Sequence, residues 1–231
     1  MIDMRYKAIL MDSDETLLNF ELAEEKALHI LFNHLNMPYE SAVSDYKRIN
    51  SACWAAYEKG EMTQKELRIR RFSDFLKLHP CALPANEAAD YYENALSMQH
   101  DELPGAYEAV QAISARLPIA IVTNGIATIQ RPRMENCSLR PFFSEIVISE
   151  EVGFSKPRPE MLLIALKKLG GVDVKDALMI GDSLTSDMLA AKNAGIDFLW
   201  YNPKGKKHPE DAWITYETDK ISDYVSFSLM N

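Results

Sequence analysis

Tyr6-Lys7-Ala8-Ile9-Leu10-Met11, running straight into Asp12-Ser13-Asp14, is the stretch on which the fold turns. A short, mostly apolar run that ends on a carboxylate looks like a buried strand with a polar tip. The arrangement recurs downstream. Ile119 to Val122 ends at Thr123-Asn124-Gly125, and Ala177 to Ile180 ends at Gly181-Asp182. Glu145 to Ser149 and Phe198 to Tyr201 read as further strands. Between them the spacing predicts helices over Ala106–Leu117, from Gly125 to about Asn136, over Pro159–Leu169 and over Ser186–Ala194. Pro132 is expected in the first turns of its helix or at a kink. Strands alternating with helices imply an α/β fold, a doubly wound parallel sheet covered on both faces.

The texture differs between about Asn19 and Gln99. Leu22, Ala23, Ala27, Ile30 and Leu31 recur at helical spacing over Phe20–Leu35. A second helical stretch runs from about Ser41 to Lys59. Thr63-Gln64-Lys65-Glu66 forms a capping box that opens a third, toward Leu78, and a fourth covers about Asn86 to Gln99. The expected division is a catalytic core of residues 1–18 and 101–231, interrupted by a helical, four-helix-bundle-like cap of residues 19–100.

Bulk properties narrow the function. The 231 residues are 47% hydrophobic and 26% charged, with a formal net charge of -9. Such an acidic chain is a poor match for a nucleic-acid polymer, whose phosphates call for clustered Lys and Arg; a small phosphate ester needs only one local site. Cys53, Cys81 and Cys137 show neither zinc spacing nor a disulfide framework. Met1-Ile2-Asp3-Met4-Arg5 has no signal-peptide layout, and no run is long enough to span a membrane. The expectation is a cytoplasmic protein without membrane contact, monomer or homodimer.

Polar residues gather where the strands end: Asp12 and Asp14, Thr123 and Asn124, then Asp182 with Asp187. Ligands of open α/β sheets bind outside the carboxyl ends of the strands. Any single residue of this set could be a helix cap; the group is harder to explain that way. Two like charges about 4 Å apart cost roughly 4 kcal/mol at an effective dielectric near 20, so four clustered carboxylates call for a cation or shared protons. Mg2+ suits carboxylate oxygen and keeps room for a phosphate ligand. Lys156, in Gly153-Phe154-Ser155-Lys156-Pro157, could add positive charge, although alone it reads as a surface lysine.

Asp12-Ser13-Asp14-Glu15-Thr16-Leu17, Thr123-Asn124-Gly125, Lys156-Pro157 and Gly181-Asp182-Ser183-x-x-Ser186-Asp187 resemble, in order and context, the four motifs of the haloacid dehalogenase-like hydrolase superfamily. The resemblance spans essentially the whole chain. It implies a Rossmann-like core with an inserted helical cap and Mg2+-dependent phosphomonoester hydrolysis. By the resemblance Asp12 is the nucleophile. Asp14 is the general acid and base, its backbone carbonyl facing the metal. Thr123 and the amide of Asn124 bind phosphate oxygen, and Lys156 balances charge. Asp182 is a direct Mg2+ ligand, with Asp187 beside it. Asp12, Asp14, Asp182 and Asp187 thus form the implied metal set. Two positions depart from the pattern: Glu15 stands where Gly is frequent, and Asn19 where Asp is.

Dehalogenases share the first aspartate but need neither the second nor a metal, so Asp14 and Asp182 favour phosphate. An inactive fold used as a binding module is the rival from another class. Within the superfamily, Trp54-Ala55-Ala56-Tyr57-Glu58-x-Gly60-Glu61-Met62-Thr63 and Ile148 to Gly153 resemble pyrimidine 5′-nucleotidases. Sugar phosphatases and acylneuraminate 9-phosphatases remain alternatives. Asn50 and Trp54, one helical turn apart, offer an amide and an aromatic face for a pyrimidine. Either could equally be packing inside the bundle, as could Tyr57, Phe72 and Phe75. Arg68, Arg70 and Arg71 read as a solvated face.

Overall fold

The computed structural model describes residues 4–230. Met1, Ile2 and Asp3, on which the reading of the amino terminus partly rests, lie outside them. The chain divides into two compact units. One comprises residues up to Phe20, Asp101–Ala127 and Met134 onward; the other comprises Glu21–His100 with Thr128–Arg133.

The first unit is an α/β layer structure. Strands β1 (Ala8–Met11), β2 (Ile119–Thr123), β3 (Glu145–Ile148), β4 (Ala177–Gly181), β5 (Asp197–Tyr201) and β6 (Tyr216–Thr218) form one sheet. Its order is β3-β2-β1-β4-β5-β6, with every pair parallel. This is the expected doubly wound sheet. Alternate side chains serve opposite faces. Ile9, Met11, Ile119, Ile121, Leu178, Ile180 and Leu199 pack with Ala109, Val110 and Ile113 of helix α5 (Ala106–Ser114) and Tyr224 of helix α10 (Asp223–Ser228). Leu10, Ala120, Val122, Met179, Phe198 and Trp200 pack with Met161, Leu162, Ala165 and Leu166 of α8 (Glu160–Lys168) and Ala190 and Ala191 of α9 (Leu189–Ala194). Because both faces are covered, the strands read as continuous apolar runs.

Several expected elements shift. β6 and α10 carry too little apolar sequence to be read as elements. Ser149 does not extend β3 but opens a four-residue helix, α7 (Ser149–Val152). Pro132 lies inside α6 (Ala127–Asn136), past its first turn. The helix after Asp182 begins as a wide, π-type turn over Leu184–Met188 before continuing as α9. Among the described residues no helix is long and apolar enough to cross a membrane.

The second unit holds α1 (Phe20–His34, from Glu21 on), α2 (Tyr39–Glu58), α3 (Gln64–Leu78) and α4 (Ala85–Ser97). The capping box forms as read: the Thr63 side chain accepts from Glu66 N–H, and the Glu66 carboxylate accepts from Thr63 N–H at 2.8 Å. Phe32, Tyr46, Phe72, Phe75 and Tyr92 are fully buried, with Phe32 stacked on Phe75 at 5.4 Å. Phe72 and Phe75 are therefore packing residues. Arg71 is no surface residue: it is 2% exposed. Its guanidinium donates to Asn50 Oδ1 and Glu93 Oε1, both at 3.3 Å, and lies over the Phe72 and Tyr92 rings. Asn50 Nδ2 donates to Glu24 Oε1 at 3.0 Å, and Arg68 pairs with Glu93. All four helices thus contribute to one buried polar cluster.

Removing one member of a buried ion pair leaves the other charge without compensation, at about 3–5 kcal/mol. Losing a helix cap costs about 1 kcal/mol. Arg71→Leu should therefore lower the denaturation midpoint of the helical unit well beyond Thr63→Ala, measured by circular dichroism in urea. Equal losses would mean that the polar cluster contributes nothing beyond its packing.

Candidate active site

Sheet register brings the strand tips together. Met11 pairs with Ile121 on one side and Ile180 on the other, so Asp12, Thr123 and Asp182 leave the sheet within two residues of one level. Asp12 N–H still donates to Ile180 O at 2.9 Å, and the chain then folds over itself: Leu17 N–H and Leu18 N–H both donate to Ser13 O at 2.9 Å. Glu15 takes a left-handed conformation, φ 56°, which strains a residue with a Cβ by roughly 1 kcal/mol. That strain gives the glycine common at this motif position its physical sense. Here the turn is closed with glutamate, Glu15 N–H donating to Leu18 O at 2.9 Å.

Asp12, Asp182 and Asp187 each offer a carboxylate oxygen within 4.8 Å of the others. Lys156 is buried among them rather than on the surface, 2% exposed. Its ammonium donates to Asp12 Oδ1, Asp187 Oδ1 and Val122 O, each at 2.7 Å, which uses all the donors a lysine has. Burial works against this cation, but Asp12 and Asp187 outweigh it and hold its pKa above the ordinary amine value. Burial raises the Asp12 carboxyl well above the carboxylate range, opposed by Lys156 and reinforced by Asp187 and Asp182. Asp182 is pushed up to about 7, by burial first and then by Asp187, with Lys206 the first opposing charge. A hard divalent cation would relieve this repulsion, and the donor set, carboxylate oxygens at strand tips, fits Mg2+. Asp12, Asp182 and Asp187 would hold it. The Asp14 side chain lies outside this trio, so its implied share in metal binding rests with its backbone carbonyl.

Other side chains lock the frame. Asn124 Nδ2 donates to Lys156 O at 2.7 Å and to Ser186 Oγ at 3.3 Å, while Asn124 Oδ1 accepts from Lys156 N–H at 2.8 Å. The Asn124 side chain thus ties the lysine loop to the strand tip, and the phosphate contact implied by the family resemblance concerns its backbone amide. Thr123 is buried beside it. Two residues with site roles went unread. A Cβ at Gly181 would sit 2.3 Å from Asp187 Oδ2, so only glycine admits that carboxylate; its place directly before Asp182 was the available signal. Trp200 Nε1 donates to Asp182 O at 2.9 Å, a contact that only the β4–β5 register reveals. In the helical unit, Asn50 has both ends of its amide engaged by Glu24 and Arg71. Trp54 is half-buried, edge-on to Tyr57 at 5.7 Å.

A parallel sheet whose strand tips bring carboxylates together around a buried lysine is a Rossmann-like core. The chain belongs to the haloacid dehalogenase-like hydrolases, whose family profile matches residues 6–195. It is similar to the HAD-hydrolase YfnB of Bacillus subtilis (34% identity over 95% of this chain and 94% of that one). It is also similar to the pyrimidine 5′-nucleotidases YjjG of Escherichia coli (33%; 95% and 96%) and PynA of Streptococcus pneumoniae (33%; 96% and 94%). The crystal structure of magnesium-bound YfnB superimposes with a TM-score of 0.90 at 33% identity, covering 97% of this chain and 99% of that one.

The raised carboxyls set a pH dependence. An acid whose folded pKa exceeds its unfolded value binds more protons folded than unfolded, so stability falls as pH rises between the two. For Asp182 that window runs from about 4, the unfolded value, to about 7. The metal-free protein should lose stability across it, and Mg2+ should restore more at pH 8 than at pH 6. Melting temperatures with and without Mg2+ at both values check this; an equal shift at both would contradict it.

Proposed function

We propose that the protein is a Mg2+-dependent phosphomonoesterase that acts through a phospho-aspartyl intermediate on Asp12 and prefers pyrimidine nucleoside 5′-monophosphates. The observation that carries the chemistry is Asp12 fixed at 2.7 Å by buried Lys156, in a carboxylate group with Asp182 and Asp187, with Asp14 two residues along. An Asp12 carboxylate oxygen attacks phosphorus as the bond to the leaving oxygen breaks. Asp14 gives its proton to that oxygen. Asp14 then takes a proton from water, which opens the acyl phosphate and regenerates Asp12 with release of inorganic phosphate. Bound Mg2+ would neutralise charge on the transferring oxygens. Lys156 holds the Asp12 carboxylate in place, and Thr123 with the Asn124 amide binds phosphate oxygen.

The pyrimidine preference rests on likeness to relatives named pyrimidine 5′-nucleotidases and on Trp54, whose half-buried ring leaves aromatic surface for a base. Asn50 reads the base edge only if it leaves its bonds to Glu24 and Arg71. The three thiols are free, buried at Cys53 and Cys137 and exposed at Cys81, which suits a cytoplasmic enzyme.

Phosphate release from nucleotides, hexose phosphates and acylneuraminate 9-phosphate, with and without Mg2+, tests the proposal. Pyrimidine 5′-monophosphates should give the highest kcat/KM, and EDTA should abolish turnover. A hexose or acylneuraminate phosphate above every pyrimidine nucleotide would overturn the substrate assignment. Full activity in EDTA would overturn the mechanism. Asp12→Asn should lose several orders of magnitude in kcat while staying folded. Asp14→Asn should lose more on alkyl phosphates than on a nitrophenyl ester, whose leaving oxygen needs little protonation; equal losses would remove the acid role.

A further inference from the structure

The -9 chain carries a basic segment, Lys204-Gly205-Lys206-Lys207-His208, directly after β5. β5 lies beside β4 in the sheet, with Trp200 level with Gly181. The segment therefore leaves the sheet next to Asp182, and it is tethered at both ends. Asn202, 5% exposed, clamps the main chain of Lys206: its Nδ2 donates to Lys206 O at 2.9 Å, and its Oδ1 accepts from Lys206 N–H at 2.8 Å. The second Nδ2 proton goes to Glu217 Oε1 at 2.7 Å, and Asn202 N–H donates to Thr218 O at 2.7 Å, which anchors the clamp to β6. Gly205, at φ 58°, closes the turn by donating to Asn202 O at 3.2 Å. At the other end the His208 ring stands edge-on to Trp200 at 5.7 Å, the same indole that donates to Asp182 O.

Lys206 is thus an exposed cation whose backbone is tied beside the tip of β4 that carries Asp182. Buried Lys156 has its ammonium donors engaged by Asp12, Asp187 and Val122 O, which leaves Lys206 as the cation on the β5 side of Asp182.

We infer that Lys206 is a positioning residue at the rim of the site, drawing the phosphate dianion toward Asp12 while weakening Mg2+ binding through like charge. This rests on the proposed phosphatase reading. The two effects have opposite signs, which a loss of fold would not produce. For a unit charge acting on a dianion near the surface, the Coulomb scale corresponds to a change of about three- to tenfold in affinity at low salt.

The test is calorimetric titration of the full chain with Mg2+ alone, then with inorganic phosphate in saturating Mg2+, for the parent, Lys206→Met, Lys206→Arg and Lys168→Met. Lys168 serves as the control because it pairs with Glu145, at the start of β3 and away from the strand tips. Lys206→Met should bind phosphate about three- to tenfold more weakly and Mg2+ more tightly, with both differences shrinking as salt is raised. Lys206→Arg should behave as the parent. In turnover, KM should rise with kcat within about twofold. Lys206→Met matching Lys168→Met in both titrations would overturn the inference, as would a fall in kcat at unchanged KM. A parent that binds Mg2+ and phosphate but hydrolyses no ester would instead refute the phosphatase reading while leaving the role of Lys206 measurable.

Discussion

Carboxylates at the ends of neighbouring strands repel one another, and the sheet-bearing unit is arranged around that repulsion. Asp12, Asp182 and Asp187 each present an oxygen within 4.8 Å of the others. Lys156 offsets that repulsion by donating to two of the three, Asp12 and Asp187. The loop of that lysine is tied down by Asn124, which bonds both the N–H and the carbonyl of Lys156. Asn124 in turn follows the end of β2, which pairs in parallel with β1. Burying a fully hydrogen-bonded ammonium is tolerable where burying a bare one is not.

The sheet was legible because its strands are buried on both faces. Ala8–Met11, residues 119–122 and residues 177–180 are apolar without interruption, and each is followed by a polar residue or by a glycine next to one. The polar tips could be found by sequence position alone, since a parallel sheet carries them to one edge. β6 escaped because Tyr216-Glu217-Thr218 is short and only partly buried. α10 escaped for a similar reason, having six residues. The wide turn at Leu184–Met188 keeps helical composition, and nothing in side-chain pattern separates it from an ordinary first turn.

In the helical unit, periodicity located the helices but misjudged their polar residues. Arg71 and Glu93 look solvent-facing by residue type, yet both are buried and paired across α3 and α4. Composition assigns a charge to the surface by default; only the partner's position, set by packing, reverses that. Asn50 is the mirror case. It was singled out for an external ligand, and its amide instead bridges Glu24 to Arg71. Lys156 shows the same failure in the catalytic unit, where a lysine beside a proline reads as a loop residue until the carboxylates around it are placed.

The close approach of Gly181 and Asp187 carries an evolutionary consequence. With 2.3 Å between a would-be Cβ and Oδ2, Gly181 cannot gain a side chain while Asp187 keeps its place. A change at the glycine codon would therefore displace the carboxylate even where the aspartate codon is untouched. Lineages of this fold that abandon the carboxylate would be free to fill position 181, and a side chain there would mark their descendants.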